Sequence, residues 1–103
     1  MQSTDLQLMS ASAAEASQFL RNLANEKRLL TLCRLMEGEC AVGQLAERVG
    51  LSPSALSQHL NRLRRDGLVD TRRDGQTIYY RLSDRRIEAL IRLLYDQFCK
   101  TSC

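Results

Sequence analysis

The 103-residue sequence predicts a mainly α fold of five helices and one β-hairpin. Three observations lead there. Apolar residues recur at three- and four-residue steps through most of the chain, the spacing of helices that bury one face. Between Gly67 and Ser83 that period gives way to two β-prone runs around an Asp-Gly pair. A chain of this length that is 44% hydrophobic and 26% charged, with one Pro and five Gly, suits one small core. It suits neither disorder nor a two-domain enzyme with a cleft between its halves.

Ala13, Ala16, Phe19, Leu20, Leu23 and Ala24 place a first amphipathic helix over roughly residues 11–24. Residues 1–10 lack that period and are expected to be a flexible N-terminus, with 11–103 forming the single domain. Asn25 is positioned to cap a second helix, about 26–37, whose apolar side carries Leu29, Leu30, Leu32, Cys33 and Met36 and which stops at Gly38. A short third helix, near 43–49, turns Val42, Leu45, Ala46 and Val49 inward and breaks at Gly50. Ser52 and Pro53 then open the fourth, because the hydroxyl accepts an orphan N–H and proline has none to leave unpaired.

The fourth helix runs to about Asp66 and ends at Gly67. At ~100° per residue Leu56, Leu60 and Leu63 share one narrow stripe, with Ser54, Gln58, Asn61 and Arg65 opposite, flanked by Ser57 and Arg62. His59 projects about 60° off the leucines. Two readings of it stay open, a partly buried structural histidine and a phosphate contact; a metal ligand is neither. Leu68–Arg72 and Thr77–Leu82 form the hairpin, joined through Arg73, Asp74, Gly75 and Gln76. Ser83 caps a last helix from Asp84 to about Cys99, with Ile87, Leu90, Ile91, Leu94, Tyr95 and Phe98 in a broad apolar stripe.

A short helix, a tight Gly-containing turn and a polar-faced second helix make a helix-turn-helix at residues 43–66, and the arginine-tipped hairpin after it makes a wing. The charge agrees with that reading. Residues 53–86 hold eight Arg against four Asp, whereas the residues before and after are close to neutral. Thirteen of the fifteen basic residues are Arg, the side chain whose fork suits phosphate. The expected partner is double-stranded DNA. Ser54, Ser57, Gln58 and Asn61 would face base edges in the major groove, with Arg62, Arg65, Arg72 and Arg73 on phosphates and His59, Gln76 and Thr77 completing the contact set. A single reading head touches few phosphates, so a homodimer on a partly palindromic operator is expected, joined through the first and last helices. Packing of those stripes within one protomer is the alternative.

Charges interrupt every window long enough to span a bilayer, and the N-terminus carries no basic, apolar leader, so a cytoplasmic protein is expected. Its four cysteines are then expected to be reduced thiols. There is no CxxC or HxxH, and His59 is the lone imidazole, so neither a metal site nor any other cofactor is expected. With no GxGxxG, P-loop or GxSxG and no imidazole to spare as a base, the chain is not expected to be an enzyme; a small thiol enzyme using Cys33 or Cys99 is the remaining alternative. Cys33 and Cys99 lie on or beside apolar stripes, which fits small buried hydrophobes as well as reactive thiols.

LANEKRLLTLCRLMEGE followed by AVGQLAERVGLSPSALSQHLNRLRRDGLVDTRRDGQTIYYRLSD resembles the ArsR/SmtB-type bacterial winged-helix regulators over roughly residues 15–99. Within that family the chain is most similar to the dithiol branch of HlyU, BigR and SqrR, which carries one cysteine in the second helix and one near the end of the last. Cys33 and Cys99 occupy those places. The resemblance implies a redox pair linked by oxidation or persulfidation, as a disulfide or through added sulfur atoms, with a small oxidant or sulfane-sulfur species as inducer. Metal-sensing members bear a motif resembling ELCVCDL; setting its last leucine on Leu45 puts its two cysteines on Ala41 and Gly43, so metal sensing is expected to be lost. Cys40, in a polar loop, and Cys103, at the terminus, are expected bystanders.

Overall fold

A computed structural model of the protein describes residues 1–99. In chain order it contains α1 (Ser3–Leu23), α2 (Glu26–Leu35), β1 (Cys40–Ala41), α3 (Val42–Val49), α4 (Pro53–Arg65), β2 (Val69–Asp74), β3 (Thr77–Leu82) and α5 (Arg85–Phe98). The strands form one antiparallel sheet in the order β1-β3-β2. This is a winged helix-turn-helix, with α3 and α4 as the helix pair and β2–β3 as the wing.

One core holds it together. Leu32 of α2, Leu45 of α3, the α4 stripe Leu56, Leu60 and Leu63, and Ile87 of α5 are all fully buried, with Leu68 sealing the base of the wing. At ~1.5–3 kcal/mol for each large apolar side chain removed from water, this cluster is the main favourable contribution to folding. The caps set the boundaries. Asn25 accepts from the Arg28 backbone N–H at 3.0 Å and Ser52 from that of Ala55 at 3.2 Å. Gly50, at φ +78°, ends α3 in the left-handed region, so its own N–H and that of Leu51 both reach the Ala46 carbonyl.

Four features differ from the sequence expectations. The first helix starts at Ser3 rather than near residue 11, because the Asp5 carboxylate accepts the Gln2 backbone N–H at 3.0 Å and supplies a local start. Its first turns bury nothing, so no apolar period announces them. Cys40 is not in a polar loop: it is 5% exposed in β1, opposite Tyr80. A two-residue strand is too short to show alternation. Arg73 and Asp74 continue β2, and the turn is only Gly75 and Gln76, with Gly75 at φ +64°. The last helix is capped by Asp84, which accepts the Arg86 backbone N–H at 2.9 Å. Ser83 instead donates its hydroxyl to the Gly67 carbonyl at 2.9 Å, closing the wing onto the end of α4.

Candidate nucleic-acid interface and thiol pair

Helix α4 seats its leucines in the core and leaves a polar face outside. Ser54, Gln58, Asn61 and Arg65 are exposed, while Ser57, His59 and Arg62 are half-buried at its margins. Pro53 at the first turn and Ser52 as cap hold the N-terminal end of this face open. At the wing tip Arg73, Gln76 and Thr77 are exposed, and Arg73 makes no ion pair among the described residues.

Arg72 is placed differently from Arg73. Its Nε donates to Glu39 Oε1 at 3.1 Å and Oε2 at 3.2 Å, and its guanidinium lies 4.7 Å from the centre of the Tyr79 ring. The Arg72 hydrogen bond holds the Glu39 carboxyl below the usual carboxylate range, so the pair is ionised at neutral pH. An arginine expected on phosphate thus has its fork filled from within the protein. No local pattern links Glu39 to Arg72, which are brought together by the β1-β3-β2 order.

Arg62 is also held. Its Nε donates to Asn22 Oδ1 at 3.1 Å, and Asn22 Nδ2 donates to Asp66 Oδ2 at 2.7 Å. Arg28 of α2 closes the cluster, donating from Nε to the Asn22 carbonyl at 2.9 Å and from a terminal nitrogen to the Arg21 carbonyl at 3.1 Å. Asn22 is 1% exposed. The sequence reading passed over it, since a lone Asn beside Leu23 carries no motif. His59 faces the same cations: burial first, then Arg28 and Arg62, push its imidazole below the ordinary histidine value. It is therefore neutral at pH 7, as a partly buried structural histidine would be.

Across the molecule an open apolar groove of about 870 Å³ runs between α2 and α5. Leu29, Leu30, Met36, Ile91, Leu94 and Phe98 line it, and so do both Cys33 and Cys99. Both thiols are free; Cys33 is half-buried and Cys99 exposed. Burial pushes the Cys33 thiol up, and Cys99 adds to the shift. Cys103 and Lys100 lie outside the described residues. Leu20 of α1 and Leu93, Tyr95 and Phe98 of α5 are more than half exposed. Among the described residues no three His, Cys, Asp or Glu side chains gather as a metal site, and no helix is long and apolar enough to cross a membrane.

Residues 25–71 match the family described as bacterial regulatory protein, arsR family. The transcriptional activator HlyU of Vibrio cholerae is 48% identical over 98 residues, covering 95% of this chain and 91% of its own. The crystal structure of the transcriptional repressor BigR of Xylella fastidiosa superposes with a TM-score of 0.88 at 38% identity, covering 98% of this chain and all of that one. A homodimeric winged helix-turn-helix DNA-binding domain of Mycobacterium bovis, a possible ArsR-family regulator, superposes with a TM-score of 0.75 at 30% identity, covering 92% of this chain and 91% of that one. With a reading helix and wing of this geometry and relatives that match along nearly its whole length, the chain belongs to the arsR family of bacterial regulatory proteins, DNA-binding transcriptional regulators of the winged helix-turn-helix fold.

Proposed function

We propose that this regulator binds a partly palindromic operator as a homodimer while Cys33 and Cys99 are thiols, and releases it when the two are linked by oxidation or persulfidation. The observation that carries the switch is the meeting of Cys33 and Cys99, remote in sequence, on the walls of one apolar groove. The exposed face of α4 carries the DNA half of the reading: Ser54, Ser57, Gln58 and Asn61 toward base edges, Arg62, Arg65 and Arg73 toward phosphates, and Gln76 and Thr77 at the wing. Arg72 joins them only by leaving Glu39. The dimer uses the exposed apolar residues of α1 and α5, a reading supported by the homodimeric neighbour. The protein works in the cytoplasm, with no cofactor and no catalytic turnover.

Exposed Cys99 meets the inducer first. Its thiolate attacks the outer sulfur of a persulfide, releasing a thiolate and leaving a cysteine persulfide; the Cys33 thiolate then displaces hydrosulfide and closes a disulfide, or a longer bridge where more sulfur has been added. With a peroxide, the first attack gives a sulfenic acid and water or alcohol, and Cys33 expels water from it. Either bridge ties α2 to α5 and shifts the helices on which the dimer is built.

Gel shifts on the DNA upstream of the gene, with mass spectrometry of the same samples, test this. Reduced protein should bind, and protein carrying the Cys33–Cys99 bridge should bind at least tenfold more weakly. A Cys33→Ser, Cys99→Ser variant that still responded normally to polysulfide or peroxide would mean that the cysteines are inert and the switch lies elsewhere.

A further inference from the structure

We infer that Asn22 is a positioning residue for DNA recognition, its side-chain amide fixing the reading helix α4 against α1 and holding Arg62 ready for a phosphate. This rests on the DNA-reading role proposed above for α4. Arg62 and Asp66 sit one turn apart on α4, at the spacing where such a pair would ordinarily meet directly. Here no direct bridge forms; the amide of Asn22 stands between them. Its oxygen accepts from Arg62 Nε at 3.1 Å and its nitrogen donates to Asp66 Oδ2 at 2.7 Å. An amide is the group for that place, because it offers an acceptor to the cation and a donor to the carboxylate at once. Asn22 is itself held, as Arg28 binds its carbonyl at 2.9 Å and Gln18 of α1 reaches Asp66 as well at 3.3 Å.

Two consequences follow for DNA. The amide fixes the last turn of α4 relative to α1, so a helix expected at the dimer contact sets the angle at which the polar face enters the groove. Arg62 also spends only Nε on Asn22, leaving its other four N–H donors uncommitted among the described residues and its side chain already ordered. A phosphate contact from such a side chain loses little further conformational freedom.

The test is an exchange of donor and acceptor. In Asn22→Asp the new carboxylate faces Asp66, the pin opens, and operator affinity should fall about tenfold, with the slope of log K against log salt shallower by about one unit as the Arg62 contact is lost. Adding Asp66→Asn restores a donor opposite the acceptor and brings the net charge back to its wild-type value, and should return affinity to within about threefold and the slope to its wild-type value. Hydrogen exchange of the Arg62–Asp66 amides without DNA should quicken in the single variant and recover in the double. Loss of general stability alone would not move the salt slope. Wild-type affinity and slope in a folded Asn22→Asp overturn the inference, as does a folded double variant no better than the single. If the single variant does not fold, a double variant that folds and binds supports the pin and one that fails to fold overturns it. If wild-type protein does not bind the DNA, the reading of α4 fails first, and hydrogen exchange alone then decides whether Asn22 pins the helix.

Discussion

Glu39 is the sharpest place to perturb DNA binding, because its carboxylate fills the fork of Arg72 and leaves that of Arg73 untouched. Both arginines lie on β2 at the wing and both are exposed, yet Arg72 is bound by the Glu39 carboxylate and stacked on Tyr79 whereas Arg73 has no ion pair among the described residues. Glu39→Gln removes the opposing charge and leaves an amide that cannot grip the fork in the same way. One more arginine then becomes available to phosphate. Each phosphate neutralised adds about 0.9 to the slope of log K against log salt, so between 50 and 200 mM salt the variant should lose about 3.5-fold more affinity than wild type, while binding more tightly at the low end. Arg73→Ala should remove the same amount of slope from the wild-type protein, and Arg72→Ala should remove much less. Fluorescence anisotropy on an operator duplex across that salt range reads all three. If Arg72→Ala and Arg73→Ala flattened the slope equally, Arg72 would be a phosphate contact despite Glu39, and the account of a masked arginine would be wrong.

Three further outcomes follow from the same geometry. Leu60→Ala, at a fully buried site in the middle of α4, should cost about 2–5 kcal/mol in urea unfolding, and a loss under 1 kcal/mol would mean that α4 is not seated as described. The single imidazole, His59, should titrate below the ordinary 6.5 in proton NMR; since its folded value is depressed, the stability it confers is present above 6.5 and falls as pH drops through 6.5 toward the folded value, and a midpoint at or above 6.5 refutes the placement beside Arg28 and Arg62. Iodoacetamide should alkylate exposed Cys99 well before half-buried Cys33, whose thiol is pushed up, and equal rates by mass spectrometry would count against the groove geometry.

Most of the helices and the polar face of α4 were legible because their causes are local. Ser52-Pro53 and Asn25 are caps whose action spans three residues, and the Leu56, Leu60, Leu63 stripe is a period within one element. The hairpin was legible for the same reason. What escaped depended on pairings between distant segments. β1 exists because β3 offers Tyr80 and Tyr79 to Cys40 and Ala41, and Cys40 is buried only in consequence. Glu39 reaches Arg72 through that pairing, and Asn22 reaches Arg62 and Asp66 because α1 crosses the end of α4. In the thiol site, the residues were found by family resemblance; that they share one groove comes from the packing of α2 against α5.

In the proposed switch, α2 offers a bridge in that groove a second route to the reading head, beside the dimer helices. Its inner face carries Cys33 toward α5, and two cations of its first turn tie it to α3 and to the end of α1. Lys27 Nζ donates to the Val49 carbonyl at 3.0 Å, at the last turn of α3, and Arg28 donates to the Arg21 and Asn22 carbonyls at the end of α1. Leu32, fully buried between these ties and Cys33, leaves α2 little freedom to bend without disturbing the core. If this ten-residue helix moves as a unit, the proposed bridge at Cys33 should tilt the end that holds α3 and, through α1 and Asn22, the last turn of α4. The proposed coupling is reciprocal: if closure of the thiol bridge weakens operator binding, operator DNA should oppose that closure by the same free energy.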